Sequence, residues 1–230
     1  MTDSAVMASE NSSGTRVWRV LVVDDHPLVR VGLASVINSE PDLEVCAEAG
    51  SVAAALEAVR ASRPDLVVTD LSLPDGNGMD LIKRLHARAT GLKILVCSMH
   101  DENLFAQRAL AAGACGYIGK EEATRHVALA IRQVLQGRPW LSAELTARMH
   151  EGGAPPAADA GADEVGRLTD RELAVFEMIG RGMGPTQIAE QIHLSVKTVE
   201  THREKIKRKL NLRSASELTR RAMLWNSGRG

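Results

Sequence analysis

The 230-residue chain has room for two domains, and 44% hydrophobic with 25% charged residues is a globular balance rather than a disordered or fibrous one. No apolar run approaches the roughly 20 residues of a membrane-spanning helix. Three cysteines, odd in number, embedded in apolar stretches and without C-x-x-C spacing, read as the reduced, buried thiols of a cytosolic protein rather than as a disulfide or a metal site. The net charge of −1 hides an asymmetry: residues 1–167 carry 16 positive and 22 negative side chains, whereas residues 168–230 carry 12 and 7. Only the second portion is expected to meet a polyanion.

Residues 1–15 are small and polar, lack the basic start and apolar stretch of a secretory signal, and read as a disordered lead-in. From there, strand and helix patterns alternate five times. Strands are predicted at 17–23, 43–48, 65–70, 93–98 and 115–118, and helices starting near Pro27, Ser51, Gly78, Glu102 and Glu121. Such alternation builds right-handed βαβ units and a parallel sheet. Most of the strands are continuous apolar runs, as suits burial on both faces. The second is not: Leu43, Val45 and Ala47 alternate with Glu44, Cys46 and Glu48, which places it at an edge. The predicted fold is a flavodoxin-like α/β domain over 16–137, its five parallel strands in the order 2-1-3-4-5.

Four of these strands end on chemically useful residues. The first runs into Asp24 and Asp25, the third into Asp70, the fourth into Ser98 and the fifth into Lys120. Ligands of open parallel sheets sit at the carboxyl ends of the strands. Three carboxylates, a hydroxyl and an ammonium converging there would suit a hard divalent cation and a phosphoryl group. A lone aspartate at a strand end is usually a turn or capping residue. The reading therefore rests on the coincidence of four strand ends and on the adjacent acidic pair, which needs something to neutralise it.

Residues 17–136 resemble a response-regulator receiver domain. The resemblance is carried by Asp24-Asp25, the segment from Asp70 through Gly78, Ser98, Tyr117 and Lys120, all in the family's order. It implies that Asp70 is the phospho-acceptor, and that Mg²⁺ is bound by Asp25, Asp70 and the backbone carbonyl of Ser72, with Asp24 acting through water or orienting Asp25. By the chemistry of such an edge, Lys120 would add positive charge opposite the metal and Ser98 a hydroxyl donor to a phosphoryl oxygen. On phosphorylation Ser98 would swing towards it and Tyr117 would turn inward to fill the space. Serine at 98 and Glu121 after the lysine vary within the family without removing a needed group.

The pattern changes after Gly137. A linker over 138–164 is expected, with a short helix from Trp140 to His150 followed by a Gly/Pro/Ala segment at 152–161 too poor in apolar surface to order itself. Beyond it, four short helices are predicted in an all-α domain over 165–228. Thr169 and Glu172 form a capping box, Ser195 caps the third helix, and Ser214 with Glu217 opens the last. Residues 168–226 resemble the LuxR-type helix-turn-helix domain through Leu168-Thr169-Asp170-Arg171-Glu172, Ile188-Ala189, the run Leu194 to His202, and Lys209-Leu210. Gly184-Pro185 replaces the polar pair usual in that family.

From Ser195 to Arg213 seven lysines or arginines face two glutamates. With Val199, Ile206 and Leu210 inward, a basic helix of this kind fits the major groove. Glu200, Thr201 and Glu204 are assigned to base edges. Lys197, Thr198 and Lys205 are placed near phosphates, and His202 and Lys209 are included in the same interface. His202 has no partner histidine at ligand spacing and is read as packed or phosphate-near. The implied protein is a NarL/FixJ-type regulator. A sensor histidine kinase would phosphorylate it, and it would bind double-stranded promoter DNA as a homodimer in the cytoplasm. It would not turn over substrate beyond slow self-dephosphorylation. Two other classes compete. An aspartyl-phosphate phosphatase needs a second carboxylate where Ser72 stands, and a small-molecule-sensing regulator needs an aromatic pocket, whereas 3% of the chain is aromatic.

Overall fold

The computed structural model describes residues 16–88, 91–150 and 164–227. The lead-in over 1–15 and the Gly/Pro/Ala segment at 152–161 lie outside them. In chain order the first domain comprises β1 (Trp18–Val23), α1 (Pro27–Asn38), β2 (Leu43–Ala49), α2 (Val52–Ser62), β3 (Leu66–Thr69), β4 (Ser72–Leu73), β5 (Gly76–Asn77), α3 (Gly78–Arg88), β6 (Lys93–Ser98), α4 (Glu102–Ala112), β7 (Gly116–Gly119) and α5 (Lys120–Leu135). The five long strands form one parallel sheet in the order β2-β1-β3-β6-β7, which is the predicted 2-1-3-4-5. The alternating strand β2 lies at the edge, as its wetter face requires, and its register with β1 shifts between Val20 and Leu21.

Both faces of the sheet are covered. Val20, Val22, Leu66, Val68 and Leu95 point into one layer with Leu33, Ile37, Val127 and Ile131 of α1 and α5. Leu21, Val23, Val67, Ile94 and Val96 point into the other, with Ala55, Met79, Ile82 and Phe105 of α2, α3 and α4. This two-sided burial is why the strands read as unbroken apolar runs. Cys97 is buried, Cys46 and Cys115 are half-buried, and all three are free thiols.

Three details depart from the sequence reading. A hairpin of two-residue strands, β4 with β5, follows Asp70, where no strand was predicted. Helix α5 starts at Lys120 itself, one residue earlier than predicted. The linker helix is shorter at its start: α6 spans Ala143–His150, while Trp140 bridges to Gly116 and extends the sheet edge beyond β7. The Trp140 carbonyl accepts from the Tyr117 amide at 2.8 Å, an edge hydrogen bond no local pattern announces.

The second domain contains α7 (Asp170–Gly180), α8 (Pro185–Gln191), α9 (Val196–Lys209) and α10 (Ala215–Ser227). The Thr169–Glu172 capping box is closed in both directions, and the Ser195 hydroxyl accepts from the Thr198 amide. Ser214 caps α10 through the Glu217 amide, but Glu217 reaches back to the Arg213 amide rather than to that of Ser214. Leu173, Phe176, Ile188, Val199, Ile206, Leu218 and Ala222 fill the core, and the apolar cluster they belong to continues into the α3–α4 side of the first domain. The helical domain is therefore docked on the sheet's carboxyl edge.

Candidate functional site

The strand ends bring their polar residues together as the topology requires. Asp70 follows β3, and its amide donates to the Val23 carbonyl at 2.9 Å, which locks the third strand end beside the first. The Leu71 amide donates to Asp70 Oδ1 at 2.6 Å. Gly78 is required here, since a Cβ would run into the Asp70 carbonyl and the Leu71 backbone. Asp75 receives the Val52 and Ala53 amides at the start of α2, which pins the loop after Asp70; burial would raise the Asp75 carboxyl, but these amides outweigh it and hold it below its ordinary range.

Lys120 is the electrostatic centre. Its Nζ lies 2.6 Å from Asp24 Oδ2 and 2.8 Å from Asp70 Oδ2. Burial alone would lower its pKa, but Asp70 and Asp24 outweigh that and raise it, so the ammonium is permanent. Burial raises the pKa of Asp24 against the opposing pull of Lys120. Asp24 is thus committed to Lys120 and buried, while Asp25 stands beside it with different partners. His26 Nδ1 approaches Asp25 Oδ1 at 2.8 Å without hydrogen-bond geometry, and this buried oxygen has no hydrogen-bond partner. Atoms of Asp24, Asp25 and His26 lie close enough together to hold one ion. A buried carboxylate oxygen without a donor, set among further carboxylates, fits a hard cation such as Mg²⁺. His26 is an addition to the residues expected at this edge.

Ser98 and Tyr117 are both buried, Ser98 at the end of β6 and Tyr117 on β7. The Ser98 hydroxyl accepts from the His100 amide at 3.4 Å, and the Tyr117 hydroxyl donates to the His100 carbonyl at 2.8 Å. Tyr117 points inward in this structure and is only 1% exposed. The β6–α4 loop that Tyr117 bonds is also the one that Glu177 of α7 contacts, through His100 and Asp101. Burial pushes the tyrosine pKa well up, with nearby Glu177, Asp70 and Glu102 adding to the effect.

That docking rests on polar contacts between the domains. Glu177 of α7, 1% exposed, accepts from His100 Nδ1 at 2.8 Å and from the Asp101 amide at 3.1 Å. An ionised carboxylate only accepts, so Nδ1 of His100 carries the proton. Burial would raise the Glu177 pKa, but His100 and Arg181 more than compensate and hold it low. Arg181 also reaches the Met99 carbonyl, and Arg108 of α4 binds Asp170 and the Leu168 carbonyl, both at 2.9 Å. His193, in the turn between α8 and α9, donates from Nε2 to Asp25 Oδ2 at 2.6 Å. Of these residues, His100, Asp101, Arg108, Glu177, Arg181 and His193 were not singled out by sequence. They sit on loops and helix faces where periodicity carries no signal, and only the closeness of the two domains relates them.

On α9, Lys197, Glu200, Thr201, Glu204, Lys205 and Arg208 are exposed while Val199 and Ile206 are buried, which gives the helix the expected outer face. Thr198 shares the N-cap with Ser195, and the Thr201 hydroxyl returns to the Lys197 carbonyl. His202 is half-buried, and burial together with Lys205 lowers its pKa. Lys209 stands apart from the expected interface. Its ammonium is tied to Glu172 at 2.6 Å, so it joins α9 to the α7 capping box. Glu172 is thus held by two residues, Thr169 and Lys209, which keep its pKa low against burial.

Two features now define the class: an acidic, lysine-clamped sheet edge in an α/β domain, and a helix-turn-helix domain with an exposed polar helix. Residues 20–132 match the response regulator receiver domain, and residues 166–222 match the luxR family of bacterial regulatory proteins. The oxygen regulatory protein NreC of Staphylococcus epidermidis is 33% identical over 89% of this chain and 96% of its own. The transcriptional activator ExaE of Pseudomonas putida is 36% identical over 89% and 95%. The transcriptional activator DevR/DosR of Mycobacterium tuberculosis is 35% identical over 84% and 88%. Among solved structures, promoter-bound RcsB of Salmonella enterica shares the fold at TM-score 0.60 and 23% identity, covering 89% of this chain and 98% of that one. The chain belongs to the NarL/FixJ-type response regulators, in which a receiver precedes a LuxR-family DNA-binding domain.

It is a transcriptional regulator whose DNA binding is governed by phosphorylation. No described helix is long and apolar enough to cross a membrane.

Proposed function

We propose that Asp70 is the phosphoryl acceptor and that a sensor histidine kinase supplies the group. The Asp70 Oδ2 carboxylate oxygen attacks phosphorus of a phosphohistidine, the P–O bond forms as the P–N bond breaks, and the imidazole leaves. Lys120 already touches that oxygen at 2.8 Å, and this single contact carries the reading. Its fixed positive charge meets the charge that builds on the transferring oxygens. Ser98 would donate its hydroxyl to a phosphoryl oxygen, exchanging its bond with the His100 amide.

Asp25, Asp70 and the Ser72 carbonyl would hold Mg²⁺, with Asp24 oriented by Lys120 rather than bound directly. When bound, the cation offsets the repulsion between carboxylate and donor. The protein is a signal carrier and not a turnover enzyme, with at most slow hydrolysis of its own acyl phosphate. It acts in the cytoplasm on double-stranded promoter DNA, with Glu200, Thr201 and Glu204 at base edges and Lys197 and Lys205 at phosphates. It works as a homodimer, for which exposed Leu28 and Val31 on α1, Leu129 on α5, and Met223 and Leu224 on α10 offer apolar surface. Intact mass after acetyl phosphate and Mg²⁺ tests the core of this reading. A gain of one phosphoryl group, absent in Asp70→Ala, supports it; an unchanged wild-type mass overturns it.

A further inference from the structure

Lys120 serves Asp24 and Asp70, so the third carboxylate of the edge, Asp25, is served by two histidines. His26 comes from the same loop. His193 comes from the other domain, 168 residues away. It sits in the helix-turn-helix turn with a left-handed backbone, φ 53°, two residues before the Ser195 cap of α9. Its Nε2–H points at Asp25 Oδ2, on a side chain 7% exposed, while Oδ1 of the same carboxylate lacks a hydrogen-bond partner.

We infer that His193 and the divalent cation compete for Asp25, so that cation binding weakens the hold of the helix-turn-helix turn on the receiver. The inference rests on Asp25 being a cation ligand, as proposed above. The carboxylate has lone pairs for both, but the N–H proton on Oδ2 and a cation on Oδ1 turn positive charge towards each other across one small group, so each weakens the hold of the other. Mg²⁺ prefers oxygen and keeps its waters, so the imidazole is displaced rather than recruited. Reciprocity is then required: a contact made nine-tenths of the time weakens the apparent cation affinity about tenfold. His193 stands next to the helix that reads DNA, so the loading of the receiver is reported to that helix before any phosphoryl group arrives.

The test is Mg²⁺ titration of the full chain by calorimetry, with the His193 ring nitrogens followed by NMR. His193→Gly suits the left-handed backbone, and His193→Asn is a second variant tolerant of it. Both are expected to bind Mg²⁺ several-fold to about tenfold more tightly than wild type, and Mg²⁺ is expected to shift the wild-type His193 signals out of their Asp25-bonded state. Unchanged affinity in both variants overturns the inference. So does weaker affinity, which would make His193 a ligand. Asp25→Asn separates the two levels: if it binds Mg²⁺ like wild type, the assignment of Asp25 as a ligand fails, independently of His193.

Discussion

The acidic edge of the receiver and the outer face of α9 use charge in opposite ways. At the edge, Asp24, Asp70 and Lys120 are largely buried and each is pinned to a partner within 2.8 Å. Along the outer face of α9 the charges are exposed, and Glu200 and Glu204 pair at i,i+3 with Arg203 and Lys207. Buried charges interact strongly, and removing one leaves another uncompensated. Exposed charges are screened and contribute little to stability. The first arrangement suits a switch that changes state when one group is added. The second suits a surface read by a partner, with its energy realised when its lysines and arginines displace the counterions of DNA phosphates. Between them lies the domain seam, where Glu177, His100 and His193 place buried or half-buried polar groups against the switch.

Perturbations should therefore grade from the edge outward. The largest effect is expected at Asp70: Asp70→Asn should lose all phosphoryl uptake from acetyl phosphate, read as intact mass, with the fold retained by circular dichroism. Next comes the seam. Glu177→Gln keeps the shape but removes the charge facing His100, and should weaken docking by about 1.5–3 kcal/mol, the worth of a charge-assisted hydrogen bond. Faster amide exchange at Asp101, which donates to Glu177, is the measurement; unchanged exchange would show the seam is held elsewhere.

The same carboxylate sets a pH dependence. Its pKa is held below the ordinary 4.5, so its contribution is present above that value and is lost as pH falls through the lowered one. Protection of the Asp101 amide should fall in that acidic window in wild type and lose this dependence in Glu177→Gln. The smallest effects belong to α9. Lys205→Ala should reduce affinity for all DNA alike and lower the salt slope by about one. Thr201→Ala should change sequence preference more than affinity. An exchange of those two outcomes would redraw the DNA-facing side of the helix.

The edge was legible in the sequence because a parallel sheet delivers strand ends to one place. Once Asp24, Asp25, Asp70, Ser98 and Lys120 were each seen to end an apolar run, their meeting followed from topology. The edge position of β2 was legible from its alternation, and the caps of α7 and α9 from Thr169 and Ser195. The seam was not legible. His100, Glu177 and His193 are one residue each from a loop, a helix and a turn, with no shared periodicity. The clearest internal hint was Glu177 on the apolar side of α7, a charge where the helix should be dry. Trp140 likewise read as helix because nothing local distinguishes an edge bridge from a first turn. Lys209 read as a DNA contact because its partner, Glu172, is 37 residues away in a capping box that was already satisfied without it.

The most direct test of the account is hydrogen exchange of the full chain before and after phosphorylation by acetyl phosphate with Mg²⁺, with Asp70→Asn alongside. The account predicts that one added phosphoryl group speeds exchange at Asp101 and across the α7 contact, and that Asp70→Asn shows neither change. A fully phosphorylated wild type with that region as protected as before would contradict it.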